Sequence, residues 1–150
     1  MVTFVPAFVS QACRDWELEF AAEMDRRGLD HKDIASRKQL REEWTAAHPR
    51  PSAALTEVAD HIEHVREVAG ADHIGIGGDY DGTDQLPAGL ADVSCYPALF
   101  TELLRRGWSE GDCGRLASGN VLRVMRDAEA ASRAISARRG PSAARLEPVS

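Results

Sequence analysis

The segment best suited to carry chemistry is Gly-Ile-Gly-Gly-Asp-Tyr-Asp-Gly, at residues 75–82. A short apolar run leads into it, so we expect a buried strand to deliver Asp79 at its C-terminal end, where barrel enzymes place catalytic groups. The glycines allow a close backbone approach, and Gly82 can offer an unobstructed N–H to a ligand. The alternative is an Asx-type turn in which Asp79 or Asp81 only accepts hydrogen bonds from neighbouring amides. Spacing alone leaves both interpretations open.

Several familiar ligand and nucleophile motifs are excluded by this sequence. The acidic residues of the 75–82 segment lack the twelfth-position glutamate of an EF-hand loop. Its glycines do not open a helix, which makes them a poor dinucleotide fingerprint. No serine or cysteine stands in a nucleophile-elbow context, so covalent catalysis has no support.

A second candidate is Asp-His-Ile-Glu-His, at residues 60–64. His61 and His64 are three apart on a predicted helix and could share one metal ion. The motif is not His-Glu-x-x-His and is one residue short of His-x-x-Glu-His, so it meets neither zinc-protease geometry. The simpler interpretation is a polar helix face beside an apolar stripe. An independent metallohydrolase would have to combine these histidines with Asp79 and Asp81.

The elements that must position these residues are two strands and several helices. The apolar segments 1–5 and 73–79 predict short buried strands. Helical patterns cover 12–27, 30–47, 52–69 and 96–105, followed by a helix capped by Ser109 and one that restarts at Asn120 and runs to about 137. The first ends at Gly28 and the second is highly charged. Apolar stripes mark two of these helices: Trp16, Phe20 and Met24 in the first, and Leu55, Val58, Ile62, Val65 and Val68 in the third. Two buried strands joined through a long helical crossover indicate parallel β/α units.

Composition describes a soluble globular protein. Hydrophobic residues make up 43% of the chain and charged residues 28%, and the net charge is −6. This balance gives no support to a nucleic-acid or anionic-membrane partner. No apolar run is long enough for a membrane span, and the N-terminus lacks a signal-peptide pattern. Three cysteines without Cys-x-x-Cys spacing argue against a disulfide framework, so we expect a cytoplasmic location.

A series of motifs in fixed order gives the most specific signal. They are Met-Val-Thr-Phe-Val-Pro-Ala-Phe-Val-Ser at 1–10, Asp-His-Ile-Glu-His-Val-Arg-Glu-Val-Ala-Gly at 60–70, Asp-His-Ile-Gly-Ile-Gly-Gly-Asp-Tyr-Asp-Gly at 72–82, Pro-Ala-Gly-Leu-Ala-Asp-Val-Ser at 87–94 and Gly-Asn-Val-Leu-Arg-Val at 119–124. Together they resemble the C-terminal portion of the renal (membrane) dipeptidase family of zinc metallopeptidases. The resemblance covers about residues 1–129 and is weakest over 30–51. Residues 130–150 are expected to form a helix end and a disordered tail.

The resemblance implies a fold, an activity and site residues. The fold is an α/β (β/α)₈ TIM-type barrel, of which this chain would supply the last two β/α units and be helix-rich on its own. Family members hydrolyse the peptide bond of dipeptides with two zinc ions. By resemblance, Asp79 is the catalytic aspartate near the metal-bound water and the substrate amine, and Gly82 contacts substrate through its backbone. Phe8 lines the pocket where the family often carries tyrosine.

The resemblance also implies what this chain does not supply. The family's metal ligands lie on earlier barrel strands, so we expect no zinc ligands here and no dipeptidase activity from the isolated 150 residues. The expected partners are a dipeptide substrate in the intact enzyme and an upstream barrel half or a second copy of the chain. The alternative is a non-catalytic remnant, or a binding or regulatory module that pairs with the missing half.

Overall fold

The computed structural model of the chain describes residues 1–144, and helices dominate them. They are α1 (Pro6–Val9), α2 (Gln11–Arg26), α3 (Ile34–Ala47), α4 (Leu55–Ala69), α5 (Tyr96–Arg105), α6 (Glu110–Gly114) and α7 (Asn120–Ser136). A π-helical turn, Arg115–Gly119, joins α6 to α7, and short 3₁₀ turns form at Ala71–His73 and Val93–Cys95. None of these helices is long and apolar enough to cross a membrane.

The two predicted strands meet in a single parallel bridge between Val2 and Ile76. The Val2 N–H donates to the Gly75 carbonyl (2.7 Å), and the Gly77 N–H donates to the Val2 carbonyl (2.9 Å). Within residues 1–144 neither segment extends into a longer strand, so the predicted lengths, 1–5 and 73–79, are wrong. The physical reason is that a pair of strands without further neighbours is marginal.

Helix starts follow capping interactions more closely than apolar patterns. Helix α3 begins at Ile34, four residues later than predicted, because the Asp33 carboxylate accepts from the backbone N–H groups of Ala35 (3.1 Å) and Ser36 (3.4 Å). Helix α4 begins at Leu55 rather than 52, and the Glu57 carboxylate accepts from the Ala54 N–H (2.7 Å). Such caps satisfy amides that have no partner inside the helix.

Three other boundaries agree with the sequence prediction. Gly28 follows α2 with φ +64°, a left-handed conformation that suits glycine at a helix end. Helix α5 has the predicted bounds. The predicted cap at Ser109 is confirmed, since the Ser109 hydroxyl accepts from the Asp112 N–H (3.0 Å) and bonds the Asp112 carboxylate (2.8 Å).

Most buried apolar residues form one group, the main cluster. Helix α4 contributes Val58 and Ile62 of its predicted apolar stripe, both 0% exposed, whereas Val68 at the end of that stripe is 74% exposed. The full set is Val2, Phe4, Val58, Ala59, Ile62, Ile74, Ile76, Leu90, Leu99, Leu103, Trp108, Cys113 and Leu116. Asn120 ties α7 to this cluster, because its buried side-chain amide donates to the carbonyls of Ala71 and Ile74, both at 2.8 Å.

A second group, the helix-pair cluster, joins α2 to α3. It consists of Trp16, Phe20 and Met24, spaced by four on α2, and Leu40 on α3. A four-residue spacing places side chains on one helix face, so the α2 pattern predicted this stripe. The Trp16 indole N–H donates to the His48 carbonyl (2.9 Å), which ties the segment after α3 back onto α2.

Helix α7 ends at Ser136, and the chain continues beyond it without helix over the last described residues. The predicted disordered tail therefore remains a prediction. Part of it, residues 145–150, lies outside the described residues.

Candidate functional site

Asp79 lies in the turn that follows the Val2–Ile76 bridge. Its φ is +59°, a left-handed conformation that few non-glycine residues adopt and that aspartate tolerates better than most. The turn is closed by backbone atoms, because the Gly82 N–H donates to the Asp79 carbonyl (3.1 Å). The Asp79 side chain takes no part in this bond and is exposed. The backbone conformation of the turn therefore sets the position of the Asp79 carboxylate.

Gly82 lies directly against the Asp79 carboxylate. A Cβ atom added at Gly82 would be 2.8 Å from the Asp79 Cγ and 2.9 Å from its Oδ2, closer than real Cβ contacts. Glycine is therefore required here while Asp79 keeps its position. The expected free N–H of Gly82 is wrong, since that group is bonded to Asp79. The predicted roles of both residues in catalysis and substrate contact remain predictions.

Tyr80 anchors the turn to the main cluster. Its ring meets Phe4 edge to face (5.9 Å between centroids), and its hydroxyl donates to the Asp92 carbonyl (3.0 Å). A Cβ at Gly78 would lie 2.7 Å from the Tyr80 ring, so a glycine also permits this approach. Burial, together with the negative charges of nearby groups, raises the pKa of the Tyr80 phenol to about 12. Tyr80 thus remains a neutral donor at physiological pH.

Phe8 lies on α1 and is 60% exposed. It lines a surface cleft of about 580 Å³, and Gly82 lines the same cleft. The cleft therefore brings Phe8 and Gly82 together, whereas Asp79 contacts Gly82 but does not itself line the cleft. Most charged side chains along this cleft, which we call the basic cleft, are cationic: Arg14, Arg37, Lys38, Arg41 and Arg50, beside Glu17 and Asp84.

Arg50 links the two walls of the basic cleft. It donates to the Glu17 carboxylate on α2 (2.9 Å) and to the Asp84 carboxylate (3.0 Å), two residues beyond Gly82. Arg41 binds both oxygens of Glu17, at 2.9 and 3.0 Å. Burial alone would raise the pKa of Glu17, but the hydrogen bonds and charges of the two arginines outweigh it and lower that pKa. The Gln85 side chain also donates to the Pro51 carbonyl (2.9 Å).

The Asp-His-Ile-Glu-His motif serves packing between helices. Arg106, directly after α5, binds the carboxylates of Asp60 (2.6 Å) and Glu63 (2.7 Å), so the acidic residues of the motif are already paired. His61 is half-buried and lines a smaller cleft with Phe8, while His64 is exposed. The structure confirms the polar helix face predicted for this motif.

The described residues do not fit a zinc site. Across residues 1–144 no group of three or more histidine, cysteine, aspartate or glutamate side chains is placed to hold a metal ion. Structural and catalytic zinc sites use at least three such ligands. The alternative of an independent metal site built from Asp79, Asp81, His61 and His64 is therefore wrong.

Sequence reasoning missed the cations of the basic cleft. The pattern over residues 30–47 predicts only a charged helix, although Arg37, Lys38 and Arg41 have the spacing of one helix face. The spacing was the available signal. The spacing could not predict which surface this helix face contacts, because the packing of α3 on α2 determines it.

Comparison with known proteins agrees with the motifs. The family model described as membrane dipeptidase (peptidase family M19) matches residues 1–139. Dipeptidase 3 of Rattus norvegicus and of Homo sapiens are each 53% identical to this chain over 77 residues, which are 51% of this chain and 16% of each relative. Dipeptidase aclJ of Aspergillus oryzae is 45% identical over 93 residues, 62% of this chain and 22% of that relative.

A solved structure gives the same result. The crystal structure of the probable dipeptidase PvdM from Pseudomonas aeruginosa superimposes with a TM-score of 0.56 at 26% identity, covering 81% of this chain and 34% of that one. The chain thus spans about a third or less of the length of these proteins. Motifs, family match and structural likeness agree, and the chain belongs to the membrane dipeptidase family, peptidase family M19.

Proposed function

We propose that this chain forms one part of a metal-dependent dipeptidase and supplies a wall of its active site. The observation that carries the proposal is the contact of Asp79 with Gly82 beside a cleft that Phe8 also lines, in a chain whose family match covers residues 1–139. The substrate is a dipeptide, and the reaction is hydrolysis of its peptide bond. The parallel Val2–Ile76 bridge supports an origin in the last two β/α units of a (β/α)₈ barrel.

Each of the three residues has a role that its position allows. The exposed Asp79 carboxylate can anchor the substrate ammonium group or accept a proton during hydrolysis. Gly82 contacts substrate through its Cα and carbonyl, since its N–H is already bonded. Phe8 supplies an exposed apolar surface for a substrate side chain, without the hydroxyl that a tyrosine would add.

Zinc enters this proposal only through the family resemblance, with two ions in the intact enzyme. Because residues 1–144 do not fit a zinc site, the metal ligands would come from other strands of the barrel. The isolated chain is then inactive and needs either the remainder of a barrel or a homodimeric arrangement. We also propose a cytoplasmic location, which rests on composition alone.

A chimera tests the function. The third of the Pseudomonas protein that aligns with this chain is replaced by the 150 residues, and hydrolysis of L-Ala-L-Ala is measured with zinc present. We expect an active chimera in which Asp79→Asn lowers kcat by about 100-fold or more, the usual scale for a catalytic acid or base.

The matched control is Asp81→Asn, an equal change at an exposed position two residues away. We expect it to retain nearly full activity. Equal losses for the two variants, or none for either, would contradict the assignment of Asp79. An active wild-type chimera with an unaffected Asp79→Asn variant would favour the non-catalytic module instead.

A further inference from the structure

The basic cleft carries a positive charge that opposes the charge of the chain as a whole. The chain has a net charge of −6, yet five cationic and two acidic side chains line this cleft, an excess of three positive charges. A concave surface lined by one sign of charge concentrates ligands of the opposite sign. The cleft is thus suited to an anion.

Three of its cations are available for such a ligand. Arg41 and Arg50 are occupied by Glu17 and Asp84. Arg14, Arg37 and Lys38 are exposed and form no ion pair within residues 1–144. Arginine binds carboxylates through two parallel N–H donors, and lysine adds a mobile point charge.

The free cations share the cleft with the predicted substrate-contacting residues. Phe8 and Gly82 line it, and Ile34 at the start of α3 adds a second exposed apolar side chain, 82% exposed. The Arg50 bridge to Asp84 and the Gln85 bond to Pro51 hold the loop containing Gly82 against this wall. A ligand in contact with Gly82 therefore has both cations and apolar surface beside it.

We propose that the basic cleft binds a side-chain carboxylate of the substrate, so that the enzyme prefers dipeptides containing aspartate or glutamate. This inference rests on the proposed dipeptidase function and names its substrate class. The other source of a carboxylate is the C-terminus, which every dipeptide has. A pair of dipeptides that differ only in side-chain charge distinguishes the two sources.

The test measures binding of L-Ala-L-Glu and L-Ala-L-Gln to the 150-residue chain by titration calorimetry, without metal. We expect L-Ala-L-Glu to bind roughly five- to tenfold more tightly, the scale set by two or three exposed ion pairs. The preference should weaken as salt is raised from about 50 mM to about 300 mM, because exposed charges are screened.

Variants assign the preference to the cleft. Arg37→Gln combined with Lys38→Gln should reduce the preference to about twofold or less, as two exposed ion pairs are lost. The control is Arg126→Gln with Arg139→Gln, which changes the net charge equally at exposed positions that do not line the cleft. Circular dichroism verifies that each variant is folded. The ratio of kcat/KM for the two dipeptides in the chimera gives a second readout that does not require the isolated chain to fold.

Three results would overturn the inference. The first two are equal affinity of the folded chain for both dipeptides, and no binding of either. The third is an equal loss of affinity for both dipeptides in the Arg37 and Lys38 variant, which would assign the cleft to the C-terminal carboxylate. None of these bears on whether the chimera hydrolyses L-Ala-L-Ala. Conversely, an inactive chimera with a retained charge preference would contradict the proposed function and leave the cleft assignment intact.

Discussion

The main cluster and the helix-pair cluster are held together in different ways. The main cluster buries thirteen apolar residues, among them Phe4 at 0% exposure. The helix-pair cluster buries only four, so the charged groups around it contribute a larger share of its packing than the Arg106 ion pairs do around the main cluster. The Arg41 guanidinium lies 4.5 Å from the Phe20 ring centre and is bonded to Glu17. Apolar burial is insensitive to pH, whereas ion pairs are not. The two regions should therefore respond differently to the same perturbation.

The largest effect should follow removal of the Phe4 side chain. Phe4 is fully buried and meets the rings of Tyr80 and Tyr96 edge to face, at 5.9 and 5.7 Å. Phe4→Ala should lower the free energy of unfolding by about 3–5 kcal/mol, as expected for a large side chain deleted from a core. Urea unfolding followed by circular dichroism measures it.

Phe8→Ala is the control for Phe4→Ala. Phe8 lies four residues away in the sequence but is 60% exposed, so its deletion should change stability by no more than about 0.5 kcal/mol. Similar losses for the two variants would mean that the apolar burial assigned to the main cluster is wrong.

A smaller effect should follow removal of the charge on Glu17. The carboxylate accepts three hydrogen bonds from Arg41 and Arg50 and is 25% exposed. Glu17→Gln should cost about 1–2 kcal/mol, because hydrogen bonds to charged partners are lost at a half-buried site. Asp25→Asn changes an exposed partner of His31 and should cost less than about 0.5 kcal/mol. Equal costs would mean that the ion pairs of Glu17 contribute no more than an exposed pair on the same helix.

The smallest effect is a difference in pH response. The pKa of Glu17 is lowered in the fold, so its contribution is present above its ordinary value of 4.5 and is lost as pH falls below it. The pKa of Tyr80 is raised to about 12, so its contribution is present below pH 10 and is lost as pH rises toward 12. NMR signals of the indole N–H groups of Trp16 and Trp108 report on the two clusters separately.

We expect the Trp16 signal to change first in acid and the Trp108 signal to change first in alkali. In Glu17→Gln the acid response of Trp16 should diminish. Simultaneous loss of both signals at each extreme would instead show that the two clusters unfold as one unit.

The sequence predicted those features that depend on local chemistry. The Ser109 cap, the Gly28 stop and the stripe from Trp16 to Met24 require only hydrogen-bond geometry and helical spacing, so they appeared in the right places. The strands at 1–5 and 73–79 were predicted too long, since strand length depends on neighbours that a local pattern does not describe.

In the candidate site, too, the sequence predicted the local features but not those that depend on packing. The motif around Asp79 predicted a turn, and residues 79–82 form one, closed by the bond from the Gly82 N–H to the Asp79 carbonyl. The free N–H expected at Gly82 failed because a carbonyl of the same turn accepts it. Arg37 and Lys38 were not recognised as cleft residues, because only the packing of α3 on α2 places them beside Gly82.

The position of the basic cleft between two separately packed regions has an evolutionary consequence. One wall is segment 82–85, which follows a turn that Tyr80 packs against the main cluster, while Arg37 and Lys38 lie exposed on a helix with its own small core. Substitutions at such exposed positions usually alter stability by no more than about 0.5 kcal/mol. Selection can therefore change the charge of the α3 wall from one lineage to the next while the turn opposite it stays unchanged.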